Sequence, residues 1–467
     1  MKKQEPLAVF GGKPVIVAST KLTRWPLISQ EEAQQVAAVL QGAPIFGCDS
    51  DQVVQLENQW LRYVGAAYCR AVGSGTAGLH MALWGAGVGP GDEVLLPAYS
   101  FMASALVILH VGAIPVFVDV HRQSYNINPA LIESQITPRT KALMVVHLAG
   151  LPADMDEISA IAHRHGLAVI EDCAHAHGAT YRGEKTGSLG DAASFSLNGV
   201  KNMVAGEAGL FTTRHRSYYD RAEGLWLRVT LGAPRESEKY PLATLGYNYR
   251  CSVVAAALAR EQLKRLDELN AVRRRNCERL SAQLCNIPGV IPPAVPEDRT
   301  HAYHMYRVRF DPRALGLDVN PAEFRAKVVA ALAAEGVLCR SWMNWTLPEL
   351  PIFARPEEFE RSYPWRRTWG PDRVYCAADY PEARRMVEET AVVADAPTAI
   401  SPEVIDLLAE GFRKVFSQIG DVARMDLSEE LIRGELANCD AIRRELSASH
   451  RIQSAHPQNA TENRPKP

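Results

Sequence analysis

From about residue 66 to 215, short β-rich runs alternate with helical stretches, and few folds accommodate that alternation. The runs fall at 68–72, 93–96, 115–119, 142–147, 167–171, 193–197 and 209–213. Helical stretches at 76–86, 102–110 and 154–165 separate most of them. Strands followed by crossover helices predict an α/β fold, with a mostly parallel seven-stranded sheet flanked by helices. In such a sheet, ligands gather outside the carboxyl ends of the strands. Polar residues just after a strand are therefore the first to weigh.

The pattern changes near Cys251. Residues 252–284 read as one long helix, followed by a strand at 303–310, a helix at 321–336 and a late helix opening at Ser401-Pro402, where Ser can cap and Pro suits the first turn. This is a smaller α+β unit. The expected division is an N-terminal arm at 1–45 with a helix at 30–40, a large domain at 46–250, a linking helix and small domain at 251–420, and an extension at 421–467. Residues from about 445 lack apolar periodicity and read as a disordered tail. The charge run Arg273-Arg274-Arg275, with Glu278, reads as a solvated helix face.

A formal net charge of −2 provides no basic field for nucleic acid or anionic lipid. The most apolar stretch, 105–118, is too short to cross a bilayer and contains His110, Gly112 and Pro115. The nine cysteines are scattered, without a CxxC pair, so neither a zinc site nor a disulfide framework is expected. No metal, nucleic acid or membrane partner is expected, and a reducing cytoplasm is the expected compartment.

Three segments carry chemistry. Ile170-Glu171-Asp172 closes an apolar strand on a carboxylate at the ligand edge; the bland alternative is a helix N-cap. Ser196 to Lys201 follows another strand into a polar loop with one lysine, for which the bland alternative is a solvated side chain. Taken together, the pair has a mechanism. A lysine amine forms an imine with an aldehyde cofactor, and a carboxylate keeps a pyridine nitrogen protonated so that the ring draws electrons from the adjacent carbanion. Gly73-Ser74-Gly75-Thr76-Ala77-Gly78 leads from a strand into a helix, whose free N–H groups suit a phosphate. The GxGxxG register of a dinucleotide site is not met, and no acidic residue ends a second strand about 20 residues on. This disfavours a dinucleotide-dependent oxidoreductase.

The ordered set of motifs resembles the DegT/DnrJ/EryC1/StrS aminotransferases, fold-type I pyridoxal phosphate (PLP) enzymes that aminate sugars and cyclitols. It includes Ser74 to His80, Gly89 to Val94, Tyr99-Ser100-Phe101, Pro115 to Val120, His147 to Pro152, Glu171 to His175, Ser196 to Lys201 and Gly246 to Arg250. The match runs from about residue 12 to 284 and more faintly to 416. The resemblance implies that Lys201 carries PLP as a Schiff base and shuttles the proton, and that Asp172 partners the pyridine nitrogen. Gly75, Thr76 and Ser196 would hold the phosphate. Phe101 would stack on the ring, unless it is plain core packing, and His175 would lie near the phenolic oxygen. Asn248 would reach the phosphate of a neighbouring subunit's cofactor, which implies a homodimer with shared sites. The implied reaction is a ping-pong transfer from L-glutamate or L-glutamine to a keto sugar, often nucleotide-linked, or a keto cyclitol, in secondary-metabolite or polysaccharide biosynthesis. Ala208, Val200 and Leu197 depart from the usual family residues without removing a catalytic group. Two rivals share the fold. Sugar dehydratases put histidine at the lysine position, and catalytically idle PLP-binding regulators normally add a basic DNA-reading domain.

Overall fold

The computed structural model describes residues 5–17, 19–22, 25–42, 50–226, 246–359, 375–398 and 401–427. The arm boundary near 45, Cys48, Cys439 and the expected tail lie outside the described residues.

Each β-rich run becomes a strand, within a residue or two of its expected ends. The strands are Tyr68–Val72, Glu93–Pro97, Ile114–Val118, Thr140–Val146, Ala168–Asp172, Ala192–Ser196 and Gly209–Thr213. They form one seven-stranded sheet in which 209–213 lies between 68–72 and 192–196, followed outward by 168–172, 140–146, 93–97 and 114–118. Only 209–213 runs antiparallel to its neighbours; the other pairings are parallel.

The strands are buried on both faces, as crossover helices require. Val94, Leu96, Met144 and Ile170 join helices Gly75–Gly85 and Ala103–His110 in one core cluster. Leu95, Leu143, Val145 and Val169 point the other way, toward helix Met155–His165. Under the other half of the sheet, Ala71, Ala193, Phe195 and Leu210 pack against helix Asp51–Val64 and the start of the long helix Val253–Leu284. Helix Asp51–Val64 was not expected, although its signals are present. Ser50 caps it by accepting from Val53 N, and Val53, Leu56, Trp60 and Val64 form its buried stripe.

The later sheet is four-stranded and antiparallel, in the order Val290–Ile291, Tyr306–Phe310, Thr390–Val393, Cys339–Arg340. Tyr306, Val308 and Phe310 meet helices Pro321–Ala334 and Pro402–Phe416 in a second core. The long helix joins the two cores, with Ala256 and Leu266 in the first and Cys277, Leu280 and Leu284 in the second. Helix Pro381–Glu389 and strand Thr390–Val393 went unnoticed in the sequence.

Two expectations fail. Arg273 is buried rather than solvated, with its guanidinium carbon 4.2 Å from the centroid of the Trp25 ring. Arg275 and Glu278 are exposed as expected and Arg274 is partly so; only Arg273 is covered, by Trp25 of the N-terminal arm. Ser401 makes no side-chain cap hydrogen bond to its helix, although Pro402 does open it.

Helix 75–85 approaches the sheet closely because it is built on glycine. A Cβ on Gly78 would lie 2.3 Å from Ser194 Oγ. Gly78→Ala should therefore cost about 1–3 kcal/mol through overpacking, read as a lowered melting temperature. An unchanged melting temperature would show that the helix is free to shift.

Candidate active site

The parallel strands deliver their carboxyl ends to a cavity of about 370 Å³, a size suited to one small ligand. Gly75, Thr76, Phe101, Asp172, His175, Ser196 and Lys201 all line it. Four separate strand-to-loop transitions thus converge on one space.

Asp172 ends its strand and is 6% exposed. Ser104 Oγ donates to its Oδ2 at 2.8 Å, and the Ala174 N–H donates to Oδ1 at 3.1 Å. Ser104 is itself paired with Ser100 Oγ at 3.0 Å. A carboxylate offers roughly four acceptor positions, so capacity remains for a ligand donor. Beneath Asp172 the neighbouring acid, Glu171, is a structural group. It accepts from the N–H groups of Gly187, Leu189 and Gly190 and pairs with His147 Nε2 at 2.9 Å. His147, Glu171 and Cys173 stand close enough to share a metal ion, but the N–H groups and His147 already occupy the Glu171 oxygens.

Lys201 sits in a tight turn after strand 192–196. Its N–H donates to the Asn198 carbonyl at 2.9 Å, and Asn198 Oδ1 accepts from Val200 N at 3.1 Å. The next residue, Asn202, is buried and donates to Asn270 Oδ1 and the Ala302 carbonyl. From the arm, Trp25 Nε1 donates to the Lys201 carbonyl at 3.1 Å. The turn is therefore tied to three parts of the chain. Burial lowers the Lys201 amine from the ordinary 10.5 to about 8, opposed by the charge of Asp172.

Helix 75–85 opens at the same cavity, with Ser74 as N-cap accepting from Ala77 N at 3.1 Å. Ser194 Oγ donates to the Gly75 carbonyl at 2.8 Å, which fixes the first turn on the sheet. The dipole end of this helix favours an anion there. Phe101 is 48% exposed on the cavity wall, so it is not core packing. His175 is buried, stacked on His304 at 4.4 Å between centroids, and its Nδ1 has no protein partner. Burial first, then the charge of Lys201, holds it well below the usual imidazole range, so it is neutral.

Asn248 stands apart from the other expected residues. It is exposed, at φ +59°, with Oδ1 accepting from Arg250 Nε at 2.8 Å, and it does not line the cavity. Its segment still abuts the phosphate-type loop, since Gly73 N donates to the Tyr249 carbonyl. His304, Trp342 and Ser104 are site residues that the sequence reading missed. The first two come from the later part of the chain, where no local pattern announces them.

These features together fit a PLP-sized ligand: an amine lowered to about 8, a buried carboxylate with spare acceptors, an anion-favouring first turn and an orphaned imidazole nitrogen. Comparison with known proteins agrees. Residues 26–371 match the DegT/DnrJ/EryC1/StrS aminotransferase family. The chain is 34% identical to the spore coat polysaccharide biosynthesis protein SpsC of Bacillus subtilis, over 82% of this chain and 94% of that protein. It is 38% identical to the L-glutamine:2-deoxy-scyllo-inosose aminotransferase of Streptoalloteichus tenebrarius, over 70% of this chain and 78% of that protein. An aminotransferase structure from Psychrobacter cryohalolentis aligns with a TM-score of 0.74 at 28% identity, covering 86% of this chain and all (100%) of that one. The chain belongs to the DegT/DnrJ/EryC1/StrS aminotransferase family and is, with it, a PLP-dependent aminotransferase.

Proposed function

We propose that this enzyme moves an amino group from L-glutamate or L-glutamine to a keto sugar, nucleotide-linked, or to a keto cyclitol, in two half-reactions of a ping-pong cycle. The convergence of Lys201, Asp172 and the first turn of helix 75–85 on one cavity carries this reading. Relatives support the acceptor class: one is named for 2-deoxy-scyllo-inosose, another as a GDP-perosamine synthase from Caulobacter vibrioides. Secondary-metabolite or polysaccharide biosynthesis suits both. The division at 250/251, a homodimer and a cytoplasmic location belong to the same proposal. Among the described residues no helix is long and apolar enough to cross a membrane.

Bound PLP supplies an aldehyde for an amine and a ring that accepts electrons. Lys201 Nζ would hold it covalently and, once released, would move a proton from the donor's α-carbon. Asp172 would keep the ring nitrogen protonated, and the hydrogen bonds from Ser104 Oγ and Ala174 N would keep Asp172 aimed at it. Gly75, Thr76 and Ser196 would receive the phosphate. Phe101 would cover a ring face, and neutral His175 would adjoin the phenolic oxygen. A lysine at 201 opposes the dehydratase reading.

Lys201→Ala or Lys201→Arg should abolish turnover and the visible absorption of the loaded protein. Asp172→Ala should keep the fold but lower turnover by at least about a hundredfold, the order expected for a lost preorganised charge. Near-normal turnover in either variant would remove the assignment.

Only a neutral amine attacks an aldehyde. Because the Lys201 amine is depressed to about 8, PLP capture by cofactor-free protein should accelerate toward that pH and level off above it. A stopped-flow rate still climbing toward the ordinary lysine value of 10.5 would mean a solvated amine.

Asn248 supports shared sites, being exposed beside Gly73 and flanked by Tyr247 at 51% exposure. Asn248→Ala and Lys201→Ala, each inactive or weak alone, should regain activity when mixed and exchanged into heterodimers. Failure of the exchanged mixture to regain any would confine Asn248 to its own chain.

A further inference from the structure

Residues 201–204 have no regular secondary structure, and Asn202, Met203 and Val204 are buried. A buried irregular segment must find partners for its peptide groups elsewhere, because neither a helix nor a sheet ladder supplies them. Two of these partners bring in the N-terminal arm. Trp25 Nε1 donates to the Lys201 carbonyl, and Gln262 Oε1 accepts from the Val204 N–H at 3.5 Å.

Gln262 lies on helix Val253–Leu284 and is 1% exposed. Its amide has an accepting end and a donating end, and only the accepting end serves Val204. The arm fixes which end is presented. Gln262 Nε2 donates to Glu32 Oε1 at 2.8 Å and to the Leu27 carbonyl at 3.3 Å. A carbonyl only accepts, and so does the Glu32 carboxylate, which is ion-paired with Arg265 at 2.9 Å. The NH2 group must therefore face the arm, and the oxygen is left for Val204.

Glu32 is placed by its local sequence. Helix Gln30–Gly42 opens with a capping box: the Glu32 N–H donates to Ser29 Oγ at 3.2 Å, and the Ser29 N–H donates to Glu32 Oε2 at 2.7 Å. One carboxylate oxygen starts the arm's helix and the other orients Gln262. Glu32 is buried for this purpose, whereas its neighbour Glu31 is exposed.

We propose that Glu32 is a positioning residue for the cofactor lysine: by orienting Gln262, and together with Trp25, it holds the peptide groups of 201–204 so that the Lys201 amine keeps its depth in the cavity. This rests on the reading of Lys201 as the PLP lysine and deepens it. Trp25, Glu32 and Gln262 do not line the cavity. They act on the setting of the amine. With either bond lost, the segment gains an unmet peptide group, which draws in water, and an amine nearer to water holds its proton more firmly. The titratable groups that face Lys201 directly are Asp172 and the neutral imidazoles of His175, His177 and His304, and changes in the arm leave all four in place.

The test is stopped-flow capture of PLP by cofactor-free protein across pH, in wild type, Glu32→Gln, Trp25→Phe and Glu31→Gln. An amide at 32 donates as well as accepts, so it no longer dictates how Gln262 turns. Phenylalanine at 25 keeps a ring for Arg273 and removes only the N–H. In both variants capture should level off about one pH unit higher than in wild type, which lowers the neutral fraction, and the rate at pH 7, about tenfold. Glu31→Gln, the same change on an exposed neighbour, should match wild type. A levelling point in Glu32→Gln that stays at the wild-type pH overturns the proposal even if the melting temperature falls, because a purely structural role would lower stability alone. An equal shift in Glu31→Gln also overturns it, by reducing the effect to the loss of one negative charge. If Glu32→Gln does not fold, Gln262→Met, which removes the bridge and spares the capping box, decides on the same criterion. Wild-type protein that forms no visible band with PLP would reject the Lys201 reading and this proposal with it; a wild-type band with unshifted variants rejects the role of Glu32 alone.

Discussion

A buried carboxylate held beside an amine whose pKa burial lowers, in a largely dry pocket, is the constraint around which the rest is arranged. Water would satisfy both groups and leave neither useful. The protein replaces water on Asp172 with Ser104 Oγ and Ala174 N, and it buries Lys201 enough to bring its amine to about 8. Both effects need adjacent parallel strands to end at the same level. Strands 168–172 and 192–196 pair directly, with Asp172 opposite Ser194. The fold is, in this sense, a means of placing an acid and an amine within electrostatic reach while closing off solvent.

The support reaches further than the neighbouring residues. The Lys201 turn is held by Asn202 against helix 253–284 and by Trp25 from the arm, and Trp25 is in turn covered by Arg273. Glu171, paired with His147, holds the loop before strand 192–196 by accepting from three backbone N–H groups. Such groups carry no reaction chemistry. They remove rotamer freedom from those that do, and a preorganised site depends on that.

Local chemistry made the large sheet and much of the site legible. Short β-rich apolar runs, glycine at the turn after Val72 and an acid closing strand 168–172 are properties of a few consecutive residues, and sequence displays them. Helix 51–64 was equally visible through Ser50 and its Val53–Leu56–Trp60–Val64 stripe, but was overlooked. What sequence could not display is convergence from afar. His304 and Trp342 reach the cavity because the smaller sheet docks against the large one, and no pattern near 304 or 342 encodes that docking. Arg273 misled for the same reason: a charge run looks solvated until a distant tryptophan covers it. Asn248 shows the opposite limit: within one chain it lies outside the cavity, and only the proposed shared site would give that place a role.

Borohydride reduction of the yellow, PLP-loaded protein, followed by proteolysis and peptide mass analysis, reaches the central claim most directly. The account predicts one pyridoxyl label per chain, on the peptide containing Lys201 and on that lysine's Nζ. A label on any other lysine, or none on protein that remains folded and coloured, would contradict it.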